Sequence, residues 1–195
     1  MEIKSEITLK GSVWSSVDHG YRRKIFETQW DIFKICLAIG ILYDKQLENE
    51  KNEDEEGLNI PVSMFNRNSA EMQFFFQSAI LTSQCVDLDE KDRLYLAFSD
   101  EILSEELENE DEEALKKGVS DAALTFNKIE FFKKFANYGA TKLNECLSAN
   151  DSETMVSLME FLNASYKGET EELMELKEVE DLIDEDLLKL LVNLC

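Results

Sequence analysis

The chain has 195 residues, with 42 acidic side chains against 20 basic ones and a net charge of −22. That balance argues against direct binding to a nucleic-acid backbone or an anionic membrane surface, since both need clustered Lys and Arg. With 44% hydrophobic residues, one proline and seven glycines, the composition favours a helical core over a sandwich or barrel rich in tight turns.

In chain order, Ile7, Leu9 and then Val13 alternate with polar residues and predict a short strand, with Gly11 and Gly20 as flanking turns. Thr28 has Asp31 three residues later, the spacing of a capping box. Between Gln29 and Gln46, Trp30, Phe33, Leu37 and Leu42 form one stripe that Ile32, Ile35, Cys36 and Ile39 widen. A stripe that wide predicts a central, mostly buried helix. Residues 44–59 read as a polar acidic loop, and Ile60 to Phe65 as a short extended piece. Ser69 is expected to cap a second helix reaching about Gln84, with Phe74, Phe75, Phe76 and Ile80 inward. Three successive phenylalanines cannot share one helix face. Two therefore enter the core, and the third meets a neighbouring helix or a partner. A third helix starts at Asp87 or Asp89 and carries Leu94, Tyr95, Phe98 and Ile102.

Residues 104–113 form a second acidic run, followed by a helical turn over Ala114–Lys117 that Gly118 closes. The fourth helix, Phe126 to Leu147, presents Phe131, Phe132, Phe135, Tyr138 and Leu143 on its apolar face. The fifth, over 151–166, aligns Met155, Leu158, Met159 and Leu162, with Gly168 as its C-terminal cap. Residues 167–195 read as acidic amphipathic helices ending in Leu187, Leu190, Leu191 and Leu194.

The acidic excess falls in three runs: seven acids in Asp44–Glu56, nine in Asp100–Glu113 and ten in Glu169–Asp186. Neither 44–56 nor 104–113 has the alternation and glycine turn of a calcium loop, so these two read as solvated loops. Cys36, Cys85, Cys146 and Cys195 have no CxxC spacing and read as free thiols of a reducing cytoplasm. His19 is the single histidine, and no glycine-rich phosphate loop is present. Catalytic, cofactor-binding and metal-binding residues are therefore all expected to be absent. The opening MEIKSEITLK is too polar for a secretory leader, and the longest apolar run, Ile35–Tyr43, is too short for a bilayer. The candidate functional residues are partner contacts instead. The C-terminal Leu187, Leu190, Leu191 and Leu194 either dock on the core or present a helical face to another protein. The basic cluster Arg22, Arg23 and Lys24 either pairs with acids of the same chain or meets an acidic ligand.

Several segments occur in a familiar order. Arg22-Arg23-Lys24 precedes Thr28-x-x-Asp31-Ile32-Phe33-x-x-x-Leu37-Ala38-Ile39-Gly40. Then come Arg93-Leu94-Tyr95-Leu96-Ala97 and Phe132-x-x-Phe135-Ala136-Asn137-Tyr138-Gly139-Ala140-x-x-Leu143. Over residues 21–147 this resembles small helical accessory proteins encoded beside bacterial DNA-phosphorothioation (Dnd) operons and related phage-defence clusters. The pattern departs at Asn137-Tyr138-Gly139, where that family tends to Asn-Gly-Gly, and it leaves 148–195 uncovered. The resemblance implies an auxiliary subunit of a defence complex, with no catalytic residues to carry over.

The reading is an all-α protein with about five core helices over residues 1–166, allowing one short N-terminal strand or hairpin. An acidic helical extension follows over 167–195. The expected function is a non-enzymatic, cytoplasmic accessory subunit of a prokaryotic anti-phage complex, binding a larger ATPase or nuclease. No cofactor, direct nucleic-acid contact or membrane is expected. The alternative is an acidic DNA mimic that inhibits a nucleic-acid-binding enzyme, which needs carboxylates held in rigid rows. A third reading, a small hydrolase, needs a pocket with two carboxylates of divergent pKa.

Overall fold

The computed structural model describes residues 6–48, 57–104, 118–170 and 172–174. Among these are eight helices and one two-stranded antiparallel sheet, so the chain is mainly helical. The order is β1 (Glu6–Lys10), α1 (Ser12–Tyr21), α2 (Gln29–Leu42), β2 (Gly57–Pro61), α3 (Val62–Arg67), α4 (Ser69–Thr82), α5 (Glu90–Ser104), α6 (Asp121–Leu124), α7 (Lys128–Glu145) and α8 (Asp151–Lys167). The chain divides into two units, Met1–Glu145 and Cys146–Cys195.

The first unit is organised by α2. Thr28 and Asp31 form the expected capping box: Asp31 N–H donates to Thr28 Oγ1 (3.2 Å) and Thr28 N–H to Asp31 Oδ2 (3.1 Å). Such a cap contributes about 1 kcal/mol and fixes the start of the helix. Trp30, Phe33 and Leu37 are buried on one side, and Ile32, Cys36 and Ile39 on the other. The helix stops four residues short of Gln46. Asp44 takes a left-handed conformation (φ 45°), and Lys45 N–H turns back to Gly40 O at 3.1 Å. That conformation is costly for a side chain other than glycine. Here Asp44 is held from outside, since Gln84 N–H donates to its Oδ2 (2.7 Å) and Cys85 Sγ to its carbonyl (2.8 Å).

α7 crosses α2 antiparallel at two glycines. A Cβ on Gly40 would lie 2.1 Å from Phe135 O, and one on Gly139 would lie 1.9 Å from Cys36 O. Each glycine thus rests on the backbone of the other helix, one turn along. Neither position tolerates even a methyl group without moving a helix. Asn127 caps α7, accepting from the N–H groups of Ile129 and Glu130, both at 3.1 Å. The expected apolar face is buried: Phe131, Phe132, Phe135, Tyr138 and Leu143. Cys36 lies inside this contact, and burial pushes its thiol pKa well up, so it is an inert packing group.

Side chains then tie the neighbours to α7. Asn137 Oδ1 accepts from Trp14 Nε1 (2.9 Å), and its Nδ2 donates to Leu47 O (3.0 Å). Tyr21 Oη donates to Leu143 O at 2.8 Å in a buried setting. Phe76 of α4 packs among Phe126, Phe131 and Phe132, with ring centroids 5.7–6.1 Å apart. Arg93 of α5 donates from Nη1 to Ile80 O (2.8 Å) and Ser83 O (2.7 Å) and from Nε to Leu88 O (3.0 Å). One guanidinium thereby satisfies the last carbonyls of α4 and closes the α4–α5 turn.

Several expectations change. Gly20 is not a turn: it lies within α1, which also includes Val13. The loop expected to reach Asn59 ends earlier. Gly57–Pro61 pairs with β1 in the register Ile7↔Ile60 and Leu9↔Leu58, all four buried. Val62–Phe65 is helical rather than extended. Ser69 is the first residue of α4, and Asn68 in the cap position makes no side-chain cap bond. Of the phenylalanine triplet only Phe76 is buried; Phe75 is half-buried and Phe74 exposed. On α5 the inward residues are Asp92, Leu96, Ala97 and Ser99, while Leu94 is exposed and Tyr95 and Phe98 are half-buried. The segments 105–117 and 175–195, with the helical turn expected at 114–117 and the acidic C-terminal helices, lie outside the described residues.

In the second unit, Asn150 caps α8 through Glu153 N–H (2.8 Å), and Gly168 ends it in the left-handed conformation (φ 66°), as its position predicts. The buried face is Thr154, Leu158 and Ser165. Met155 and Met159, expected inward, point outward. The helix is rotated because Thr154 Oγ1 faces in to accept Ser148 N–H at 3.0 Å.

Two predictions follow from these contacts. Gly139→Ala is expected to destabilise the first unit by about 3 kcal/mol, the upper end of overpacking costs, measured by urea unfolding. The second concerns Asp92, buried on α5. The Ser120 hydroxyl and N–H (the latter 2.9 Å from Oδ1) hold its carboxyl below the usual carboxylate range. A depressed folded pKa adds stability that is present above the unfolded value of about 3.9 and lost as pH falls through the folded value. Asp92→Asn is therefore expected to unfold at lower urea than the wild type at neutral pH. The gap should shrink at about pH 3, and a gap equal at both pH values contradicts this account.

Candidate interaction surface

The basic cluster sits where α1 ends. The Tyr21 carbonyl accepts three N–H groups, from Lys24, Ile25 and Phe26 at 3.0–3.2 Å, and Arg23 takes a left-handed conformation (φ 60°). Arg22 turns back on its own helix, with Nη2 3.1 Å from Asp18 Oδ2. Asp18 also accepts from Gln29 Nε2 at 3.2 Å, so the pair links α1 to the start of α2. Arg22 is thus engaged within the chain, with an acid outside the three acidic runs. Arg23 and Lys24 extend from an exposed corner. Leu187, Leu190, Leu191 and Leu194 lie outside the described residues.

Chemistry-bearing side chains do not converge among the described residues. No group of three or more His, Cys, Asp or Glu is close enough to hold a metal ion. His19 is exposed on α1, and its Nδ1 donates to Ser15 O at 2.8 Å. Cys85 is exposed; partial burial, then the nearby Asp44 charge, raise its thiol pKa, which lowers its nucleophilicity. No described helix is long and apolar enough to cross a membrane.

The surface carries large apolar groups instead. Phe74 on α4 is 66% exposed, and Leu81 and Leu94 are exposed on the two helices that Arg93 clamps together. The reason is periodicity. Phe76 takes the inward position, and Phe74, two residues earlier, falls about 200° around the helix. In the second unit Met159 (60% exposed) and Tyr166 (90%) lie on the outer face of α8 with Met155. The phenylalanine triplet signalled one outward ring in the sequence. The methionines carried no such signal, because their spacing fits an inward or an outward stripe equally well.

Among the open clefts of the first unit are two beside the start of α7. One, of about 520 Å³, is lined by Glu6, Ile7 and Thr8 of β1, Val62, and Ile129, Glu130 and Lys133 of α7. The other, of about 300 Å³, lies among Phe65, Met72, Phe76 and Phe132, with Lys128 Nζ 4.6 Å from the Phe76 ring centroid.

Most of the residues that carry the phage-defence resemblance work inside the fold. Thr28 and Asp31 cap α2, Gly40 and Gly139 form the crossing, Asn137 ties α1 and Leu47 to α7, and Arg93 closes the α4–α5 turn. In comparisons with protein-family models, curated proteins and solved structures, none matches this chain.

Proposed function

We propose that this chain is a non-enzymatic accessory subunit whose α4–α5 face docks on a larger protein of a prokaryotic anti-phage complex, an ATPase or a nuclease. The observation that carries the interaction reading is Phe74, an aromatic ring two-thirds exposed, with Phe75 beside it (ring centroids 6.2 Å apart), on a helix whose neighbours are fixed by Arg93. An exposed aromatic on a rigid element costs hydration free energy unless a partner covers it, and such rings recur as interface anchors. Leu81 and Leu94 widen the apolar centre, and the −22 charge suits a partner with a basic rim. The C-terminal leucines 187, 190, 191 and 194 are the second proposed contact. The defence setting rests on the sequence resemblance over residues 21–147. The DNA-mimic reading differs in its needs: it uses rows of carboxylates and has no role for Phe74.

The test is capture of the tagged chain from its native host at low and high salt, with mass spectrometry of what co-purifies. A stoichiometric ATPase or nuclease is expected to survive high salt, because its contact is apolar. Phe74→Glu, and separately Leu190→Glu with Leu191→Glu, are expected to reduce its recovery about tenfold or more, a typical anchor loss, with far-UV circular dichroism unchanged. An enzyme released by salt and displaced by DNA, and indifferent to Phe74→Glu, contradicts the proposal and favours mimicry.

A further inference from the structure

The cleft beside β1 has a geometry that its volume alone does not reveal. Successive side chains of a strand point to opposite faces, so a cavity on one face meets only alternate residues. This cleft is lined by Glu6, Ile7 and Thr8 in succession, and therefore views β1 edge-on. It is not the edge that β2 occupies, because from the β2 side only Val62, beyond the strand end, contributes to the lining. Among the described residues the sheet has two strands, and none of them pairs with this edge of β1.

The register indicates what that edge presents. Glu6 is opposite Pro61, which has no N–H, so the pair fits best at a non-hydrogen-bonded position of the ladder. By alternation Thr8 and Asn59 form another such pair, in keeping with the Thr8 Oγ1 to Asn59 Oδ1 hydrogen bond of 3.0 Å. The N–H and C=O groups of Glu6 and Thr8 then face the cleft. Open strand edges are usually blocked by proline, a bulge or covering structure. Among the described residues nothing of that kind lies on this edge; an α7 wall stands across the cleft instead. That wall offers Ile129, an exposed apolar side chain, and the Glu130–Lys133 ion pair at 2.8 Å, which neutralises Lys133. The remaining charge on the lining is Glu6.

We infer that this cleft binds an extended peptide segment of a partner protein as a third strand on β1, with apolar side chains toward Ile7, Val62 and Ile129 and lysine or arginine beside Glu6. A groove between an edge strand and a helix is a recurrent means of peptide capture: main-chain hydrogen bonds give affinity, and pockets for alternate side chains give selectivity. Charge sets the class of occupant. On a chain of net charge −22, with Glu6 at the cleft, a basic segment is attracted and an acidic one repelled. The inference rests on the reading of the chain as an interaction subunit but uses a surface separate from Phe74.

The test uses a capped, fluorescent octapeptide of alternating lysine and valine. Its controls are a copy with two N-methylated central residues and a glutamate–valine copy. Binding is followed by anisotropy and by amide chemical shifts of the intact protein. The lysine–valine peptide is expected to shift the amides of residues 6–8, 62 and 129–133. N-methylation is expected to weaken it about tenfold, the loss of one or two main-chain hydrogen bonds. The glutamate copy is expected not to bind. Glu6→Lys is expected to weaken binding, as is the uncharged Ile129→Ser on the opposite wall, while Phe74→Glu leaves it unchanged. Equal binding of the N-methylated peptide, shifts confined to residues outside the cleft, or no binding of the lysine–valine peptide overturns the inference. If Phe74→Glu still abolishes capture of the larger partner, the interaction reading stands without this site.

Discussion

Backbone touches backbone where α2 crosses α7. With Gly40 on Phe135 O and Gly139 on Cys36 O, the two helices lie closer than side chains normally allow. Much else in the first unit depends on that closeness. It brings Asn137 to where one amide reaches both Trp14 and Leu47, and Leu143 to where Tyr21 can donate to its carbonyl. It also lines up Phe131 and Phe132 as a wall for Phe76 of α4, with Phe135 packed behind Phe131. A methyl group at either glycine separates the helices and loosens each of these contacts together.

Because α2 is buried on both sides and α7 beyond its first turn over most of its surface, neither offers a recognition face except where Ile129, Glu130 and Lys133 line the cleft beside β1. On the proposed reading, recognition belongs to the α4–α5 pair, the β1 edge and the exposed face of α8. The α4–α5 pair suits an anchor because Arg93 holds four backbone carbonyls, those of Ile80 in α4 and of Ser83, Val86 and Leu88 in the connection, in fixed geometry. A rigid scaffold lowers the entropy lost when Phe74 is covered. The overall negative charge gives orientation and encounter rate rather than affinity, so apolar anchors and charge have separate parts in the same account.

Much of this could be read from residues alone. Thr28 and Asp31 announce the start of α2, since the reciprocal cap is local. The α7 face and the Gly168 stop are likewise local signals, and Gly139 inside a helix already suggests a close neighbour. What could not be read is the neighbour, Gly40, about a hundred positions earlier, because the pairing belongs to tertiary structure. α1 was hidden because Gly11 and Gly20 look like turns, and packing against the sheet overrides the cost of a glycine near a helix end. β2 was hidden because Gly57-Leu58-Asn59 continues a polar, acidic stretch. Only its pairing with β1 shows that Leu58 and Ile60 are core. The outward Phe74 was half-legible: the triplet requires an outward ring but does not say which.

The α2–α7 crossing is expected to be the most stable part of the first unit, and native-state hydrogen exchange measures that directly. The slowest amides are predicted to lie around Cys36–Gly40 and Phe135–Leu143, exchanging only through global unfolding, with α4 and α5 opening at lower free energy. Slower exchange in α4 or α5 than at the two glycines would contradict it.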